Sequence, residues 1–124
     1  MRTFNLIFLL TLFIGCSENQ SINLYDEIEF GAPYSIIETS ILPIINSDTL
    51  KSKVSYSGCN DGHEFELKNR LVNSTAEIWL FKQTEGQLCE AYFEEEKTYH
   101  LSESILSAKN IILITPNEDR ITLK

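Results

Sequence analysis

The sequence is poor in basic residues. Lysine and arginine together number 10 against 18 aspartate and glutamate residues, which gives the 124-residue chain a formal net charge of −8 at pH 7. A surface this acidic repels the phosphates of nucleic acids and the headgroups of anionic lipids. The composition therefore excludes DNA and RNA from the expected partners and is typical of a soluble acidic domain.

Long hydrophobic runs are also lacking. The apolar segment Phe4–Ile14 has about 11 residues, too few for a helix across a hydrocarbon core of roughly 30 Å. It follows Arg2 and ends at Gly15-Cys16, with polar Ser17 directly behind. This arrangement predicts a cleaved signal peptide over residues 1–15, which lies outside the folded domain.

The end of that segment, Phe13-Ile14-Gly15-Cys16, resembles the lipobox of bacterial lipoprotein precursors, with Phe13 where the family prefers leucine. The resemblance implies cleavage before Cys16 and lipid on its thiol and amine. Acyl chains contribute about 0.8 kcal/mol per buried CH₂ and hold a protein firmly on a membrane. The expected location is the cell envelope. Cys16 is followed by Ser17-Glu18 and not by the aspartate that would suggest retention in the inner membrane, so the resemblance favours the outer membrane. Either face of that membrane is compatible with the sequence.

Cysteine is scarce enough for each one to be assigned. With Cys16 given to the lipid, Cys59 and Cys89 remain, and an even pair in an exported domain predicts a disulfide. The loop between them has about 30 residues, and closing a loop of that length contributes roughly 3–4 kcal/mol through chain entropy. A single disulfide would supply a large part of the stability of so small a domain.

A metal site is the alternative interpretation of the same residues. Cys59 and His63 flank the turn Asn60-Asp61-Gly62, and with Cys89 they supply two thiolates and an imidazole, which suit copper(I) or zinc. The set offers no obvious fourth ligand, because His100 is remote in sequence, and no C-x-x-C pair is present. The disulfide is the preferred prediction, with His63 at the rim of the fold and hydrogen-bonded to the backbone.

Short strand-like segments separated by turn residues fill the rest of the chain. Segment 76–82 is apolar on both faces, which suits the middle of a sheet. Pro43 predicts a bend or an edge strand within the ambiguous segment 36–45. The turn at 60–62 predicts a hairpin, and Ser102 begins a helical turn with Ile105 and Leu106 directed inward. The predicted strands are 25–30, 49–57, 63–68, 76–82, 88–96, 98–102, 110–115 and 120–124.

Together these segments predict an all-β fold, a single small Ig-like β-sandwich of about seven to eight strands with one disulfide. The expected organisation is a signal peptide at 1–15, a lipidated cysteine and polar tether at 16–23, and one domain at 24–124. The stretch from Val54 to Ser102, with Y-S-G-C, H-E-F-E-L, C-E-A and T-Y-H-L-S, also resembles small β-rich bacterial lipoproteins. That resemblance implies the fold and the disulfide, and no activity.

No catalytic pattern accompanies this fold. The sequence has no G-x-S-x-G or S-x-x-K segment. Glu94–Glu96 lacks the alternating oxygen ligands of an EF-hand and suits a solvated strand end. Trp79 and Phe81 are assigned to the core, with an exposed binding patch as the alternative. No cofactor is expected.

The predicted function is a non-catalytic binding or accessory module of the cell envelope. It is attached to a membrane through lipid on Cys16, and its expected ligand is a protein or a glycan. The alternative function is a metal-binding lipoprotein that holds copper or zinc with Cys59, His63 and Cys89.

Overall fold

The computed structural model describes residues 27–84 and 86–124, and within them the chain forms two β-sheets and one turn of helix. The first sheet contains β1 (Ser35–Ile37), β2 (Ile44–Asn46), β3 (Thr49–Gly58) and β6 (Ala91–His100). The second contains β4 (Phe65–Val72), β5 (Thr75–Lys82), β7 (Asn110–Ile114) and β8 (Arg120–Thr122). The predicted Ig-like β-sandwich of seven to eight strands is confirmed. The predicted signal peptide, Cys16 and the tether lie outside the described residues.

Strand β3 is the centre of the first sheet. Along its whole length it pairs antiparallel with β6, from Thr49 opposite His100 to Gly58 opposite Ala91. Its other edge is shared by β1 and β2, which pair with different halves of β3. The break between them contains Pro43, which has no N–H for a ladder hydrogen bond. The predicted bend at Pro43 is therefore confirmed.

Strand β5 is the centre of the second sheet. It forms a hairpin with β4 on one side and a parallel pair with β7 on the other, while β8 returns antiparallel along β7. The central place predicted from the apolar character of segment 76–82 is confirmed.

The core lies between the two sheets and is built from alternate positions of their central strands. Fully burying an aliphatic side chain contributes about 1.5–3 kcal/mol, so these positions hold the sheets together. Partly buried side chains from β4, β6 and β8 pack around them. The buried residues that β3, β5 and β7 contribute to the two core clusters are Leu50, Val54, Tyr56, Ala76, Ile78, Leu80, Ile111 and Leu113.

The helix α1 (Glu103–Leu106) follows β6 and closes one side of the core. Ser102 occupies its N-cap position and Ile105 is buried, as predicted, although the Ser102 side chain makes no capping hydrogen bond. At one turn, this helix is too short to span a bilayer, and no helix in the described residues has the length and apolar character required.

Three predictions about the strands are wrong. The turn at 60–62 does not form a hairpin, because β3 already has partners on both edges and β4 pairs with β5 in the other sheet. The turn instead carries the chain from one sheet to the other. Residues 27–30 form no strand, and only an isolated bridge joins Gly31 to Lys82. The segments predicted at 88–96 and 98–102 merge into the single strand β6.

Candidate functional site

The disulfide predicted between Cys59 and Cys89 is present. Their Cα atoms are 4.7 Å apart, within the range that disulfide geometry requires. Cys59 follows β3 directly and Cys89 lies two residues before β6, so the bond sits just beyond the last pair of these strands, Gly58 and Ala91. Both cysteines are exposed at the end of the sandwich. We call Gly58, Cys59, His63, Gln87 and Cys89 the clasp.

Gln87 joins the two sides of the clasp a second time. Its Oε1 accepts a hydrogen bond from the backbone N–H of Cys59 at 2.8 Å and lies 2.9 Å from His63 Nε2. Its Nε2 donates to Asn60 Oδ1. This orientation of the amide makes His63 Nε2 the donor to Oε1. Sequence reasoning missed Gln87, whose only signal was its position two residues before Cys89.

His63 is more deeply buried than a rim residue, with 3% of its surface exposed. Its ring stacks on Tyr56, with centroids 4.4 Å apart, and its backbone N–H donates to the Tyr56 hydroxyl at 3.3 Å. The predicted bond from its side chain to the backbone is wrong, since Nε2 bonds to Gln87 instead. Nδ1 is buried and has no hydrogen-bond partner in the described part of the chain.

A partly buried ion pair between Glu95 and Lys97 fixes the turn that carries His63. Glu95 Oε1 accepts a hydrogen bond from the Gly62 N–H at 2.5 Å, and Lys97 Nζ lies 2.8 Å from both Glu95 Oε2 and the His63 carbonyl oxygen. Burial works against the charge on Glu95, but hydrogen bonds from Lys97, Gly62 and the Tyr56 hydroxyl outweigh it and lower the pKa of Glu95 to about 2. Burial, followed by the nearby Glu95, raises the pKa of Tyr56.

The run Glu94–Glu96 is thus not a solvated strand end, because it lies in the middle of β6. Glu94 and Glu96 are exposed, and Glu94 pairs with Lys53 at 3.0 Å. Glu95 alone turns inward to the His63 turn.

The clasp as described does not hold a metal through Cys59, His63 and Cys89, because the two sulfurs are bonded to each other. Over residues 27–84 and 86–124, no group of three or more histidine, cysteine, aspartate or glutamate residues is placed to hold a metal ion. His100 lies at the opposite end of β6, roughly 30 Å away at about 3.3 Å per residue. It is 76% exposed in its side chain and contacts Asp48 at 3.3 Å.

An open concavity of about 640 Å³ lies beside the clasp. Its volume is in the range of small-molecule sites. Lys82 is buried in its wall, with Nζ 5.1 Å from the centre of the Tyr56 ring. In the described chain neither histidine is hydrogen-bonded to a serine hydroxyl or a thiol, so the concavity contains no such nucleophile–base pair. The side chains that line it include Tyr34, Tyr56, His63, Lys82, Gln87 and Tyr92.

A second candidate surface is the side of the second sheet that faces away from the core. Trp79 and Phe81 alternate with the buried residues of β5, so both point outward, are partly exposed and belong to neither core cluster. The prediction that they pack in the core is therefore wrong, because both lie on the outward side of the sheet, where they are partly buried. We call the surface formed by Lys68, Arg70, Glu77, Trp79, Phe81 and Arg120 the outer face.

Charged side chains hold the outer face in a fixed arrangement. Glu77 is 4% exposed and lies 2.8 Å from Arg70 and 3.5 Å from Arg120. The Arg70 guanidinium lies 5.9 Å from the centre of the Trp79 ring, within the range of cation–π contacts. The buried carboxylate of Glu77 pairs with both guanidinium groups, and it thereby holds the Arg70 guanidinium in place beside Trp79.

Comparisons with known proteins found no relative of this chain that could assign a role to the clasp or to the outer face. No protein-family model, no curated protein and no solved structure matches this chain.

Proposed function

We propose that this protein is a lipid-anchored lipoprotein of the bacterial cell envelope whose β-sandwich binds a protein or a glycan without catalysing a reaction. The lipobox-like residues ending at Cys16 support the anchor, and the polar segment behind them supports a short tether. The lack of aspartate after Cys16 favours the outer membrane. The lipid would hold the domain near its ligand on the membrane surface.

The observation that carries the binding role is the outward position of Trp79 and Phe81. Large aromatic side chains on the outer side of a sheet supply contact area that a partner can cover. Tryptophan and arginine are the residues most enriched where binding energy concentrates in interfaces. Trp79 lies beside Arg70, which Glu77 holds, so the outer face offers stacking and hydrogen bonding in a fixed geometry.

The anchor is tested by growing cells with an alkyne-tagged fatty acid and detecting the tag on the full chain. The wild-type protein is expected to take up the tag, and Cys16→Ala is expected to lose it. Cys59→Ser with Cys89→Ser is the matched control and should keep the tag. An untagged wild-type protein would remove the anchor from the proposal.

The binding role is tested by placing a photo-cross-linking residue at Phe81 of the full chain in intact cells. The matched control is the same residue at Tyr92, which is 64% exposed on the other sheet. A discrete adduct at position 81 is expected, with none at position 92, and Arg70→Ala should reduce it. Equal labelling at the two positions, or none at either, would contradict a binding role for the outer face.

A further inference from the structure

The edge strands of the two sheets differ in how well they are protected against pairing with another chain. Strands β1, β2 and β8 have 3 residues each, which leaves little backbone to pair with. Strand β6 is long, but its Glu95 and Lys97 side chains turn inward to the His63 turn. Inward charges are a common protection of sheet edges. Strand β4 lacks this protection, since its charged residues all lie on the side of the sheet that faces away from the core.

The free edge of β4 is regular over its whole length. Its 8 residues pair with β5 without a bulge, from Phe65 opposite Lys82 to Val72 opposite Thr75, and none of them is proline. Among the described residues, no backbone hydrogen bond joins β4 to an element other than β5. A long, regular edge without a partner is a template for strand addition.

The hydrogen bonds beside β4 show which of its residues face this edge. The Gln83 N–H donates to the Glu64 carbonyl oxygen at 2.9 Å, whereas the Lys82 N–H and carbonyl bond to Phe30 and Ala32 on the other side of β5. Bonded and non-bonded pairs alternate along an antiparallel ladder. The N–H and C=O groups that point away from β5 are therefore those of Phe65, Leu67, Asn69 and Leu71.

Leu71 adds an apolar contact at the same edge. Its side chain lies on the same side of β4 as those of Phe65 and Leu67, because alternate residues of a strand share a face. Phe65 and Leu67 pack against the core, whereas Leu71 is 54% exposed. A strand added at this edge would cover Leu71 if it placed an apolar residue opposite.

We propose that β4 pairs antiparallel with β4 of a second copy of this chain, with Lys68 on the twofold axis. Each Glu66 then lies opposite Arg70 of the second copy, and each Leu71 opposite its Phe65. Opposite charges and apolar residues in such cross-strand positions stabilise a sheet. A twofold interface uses the same surface of both copies, and β4 carries both members of each pair.

The backbone groups select this register. The outward N–H and C=O groups of both strands are then all satisfied, since Phe65 pairs with Leu71 and Leu67 with Asn69. Moving the axis to Leu67 would place Leu71 opposite His63, whose N–H and carbonyl already bond to Tyr56 and Lys97. A register slip that flips side chains to the other face is excluded by the same alternation.

The charges exclude the shift in the other direction. With the axis at Asn69, Lys68 would lie opposite Arg70 in two places, and like charges opposite one another are unfavourable. The proposed register has one like-charged contact, between the two copies of Lys68. Both are exposed, and each lies 3.1 Å from its own Glu66, which offsets the repulsion.

This pairing is separate from the proposed function. It joins the second sheets of two copies into one continuous sheet and leaves Trp79 and Phe81 uncovered, so two outer faces lie side by side. Neither the lipid nor a ligand of the outer face takes part in the contact.

The test is disulfide cross-linking of the full chain in intact cells, with a mild oxidant and a non-reducing gel. Lys68→Cys is expected to give a covalent dimer of twice the chain mass, because position 68 meets its own counterpart on the axis. The matched control is Glu66→Cys, which is also exposed. Its counterpart is four positions along the strand, roughly 13 Å away at about 3.3 Å per residue, so this variant should stay monomeric.

A second comparison tests the backbone contact within the Lys68→Cys variant. Asn69→Pro removes an N–H that faces the open edge and breaks no bond to β5, so cross-linking is expected to fall about tenfold. Asn69→Thr keeps the N–H and should cross-link as before. Circular dichroism of the purified variants shows whether the proline is tolerated, and the comparison of positions 68 and 66 stands without it.

Four results would overturn the pairing of two copies. These are a monomeric Lys68→Cys variant, equal cross-linking at positions 68 and 66, an adduct of Lys68→Cys with a different protein, and a folded Asn69→Pro variant that cross-links as well as Asn69→Thr.

Discussion

His63 lies flat against Tyr56, with ring centroids 4.4 Å apart and ring planes inclined by 24°. Tyr56 belongs to β3, and His63 follows the turn that leads the chain into the second sheet. The stacked pair therefore joins the first sheet to the connection between the sheets. The His63 ring also lies against Gly58 and Gln87, so a substitution at either of these positions should disturb it.

Gly58→Ala is expected to displace His63. The added Cβ would stand 2.5 Å from His63 Cε1 and 2.8 Å from Gln87 Oε1, closer than atoms in contact. Overpacking of this kind costs about 1–3 kcal/mol. Urea unfolding measures the loss. Ser57→Ala, at the exposed neighbouring position, should stay within about 0.5 kcal/mol of wild type.

Gln87→Ala is expected to destabilise the protein by about 1–3 kcal/mol, because the Cys59 N–H and His63 Nε2 lose their shared acceptor. The disulfide remains intact, so the change isolates the noncovalent half of the clasp. Gln83→Ala is the matched control, since Gln83 is exposed. Equal unfolding midpoints for the two variants would show that Gln87 adds nothing beyond the covalent bond.

Stability is expected to fall with acidification through Glu95. The pKa of its carboxyl is about 2 in the folded protein against an ordinary value of 4.5. Because the folded value is the lower one, the ionised group stabilises the fold above about pH 4.5, and this contribution disappears as the pH falls towards 2. Glu95→Gln should cost about 2 kcal/mol at neutral pH and flatten the profile over this window.

The measurement for Glu95 is the urea midpoint at a series of pH values between neutrality and pH 2. Glu96→Gln is the control, because Glu96 is the exposed neighbour on the same strand. A Glu95→Gln profile as steep as that of wild type would mean that other carboxylates set the acid sensitivity.

Glu77→Gln is expected to disturb the outer face. Its side chain is 5% exposed and faces two guanidinium groups, so loss of its charge leaves Arg70 and Arg120 poorly compensated and costs about 2–3 kcal/mol. Trp79 is the only tryptophan, so its fluorescence reports the change at this surface. Glu66→Gln breaks only the exposed pair with Lys68 and should cost less than about 1 kcal/mol, with unaltered emission.

Strand positions were predictable from the sequence because alternation and turn residues are local signals. Strand partners were not, because the choice of partner depends on distant segments. A turn such as 60–62 looks the same in sequence whether it makes a hairpin or crosses between sheets. The turn crosses between the sheets because β6 occupies one edge of β3 and β1 with β2 occupies the other, which leaves no edge for β4.

Each candidate site also combines features that local sequence signals predict with features that only the fold decides. Counting cysteines was sufficient to predict the Cys59–Cys89 bond. Gln87 carries no pattern of its own, and its role follows from the way the fold brings it to Cys59. The direction of Trp79 was equally hidden, since a strand that is apolar on both faces does not indicate which side meets the core.

The position of the disulfide has a consequence for the rate at which the protein folds. The loop between Cys59 and Cys89 contains all of β4 and β5, a hairpin that forms from neighbouring segments. Pairing β3 with β6 instead requires the chain to close around that hairpin, and such long-range contacts slow folding. In a chain whose Cys59–Cys89 bond has already formed, this loop is closed before folding begins. It should therefore reach the native state faster than the reduced chain, with the hairpin held inside the loop from the start.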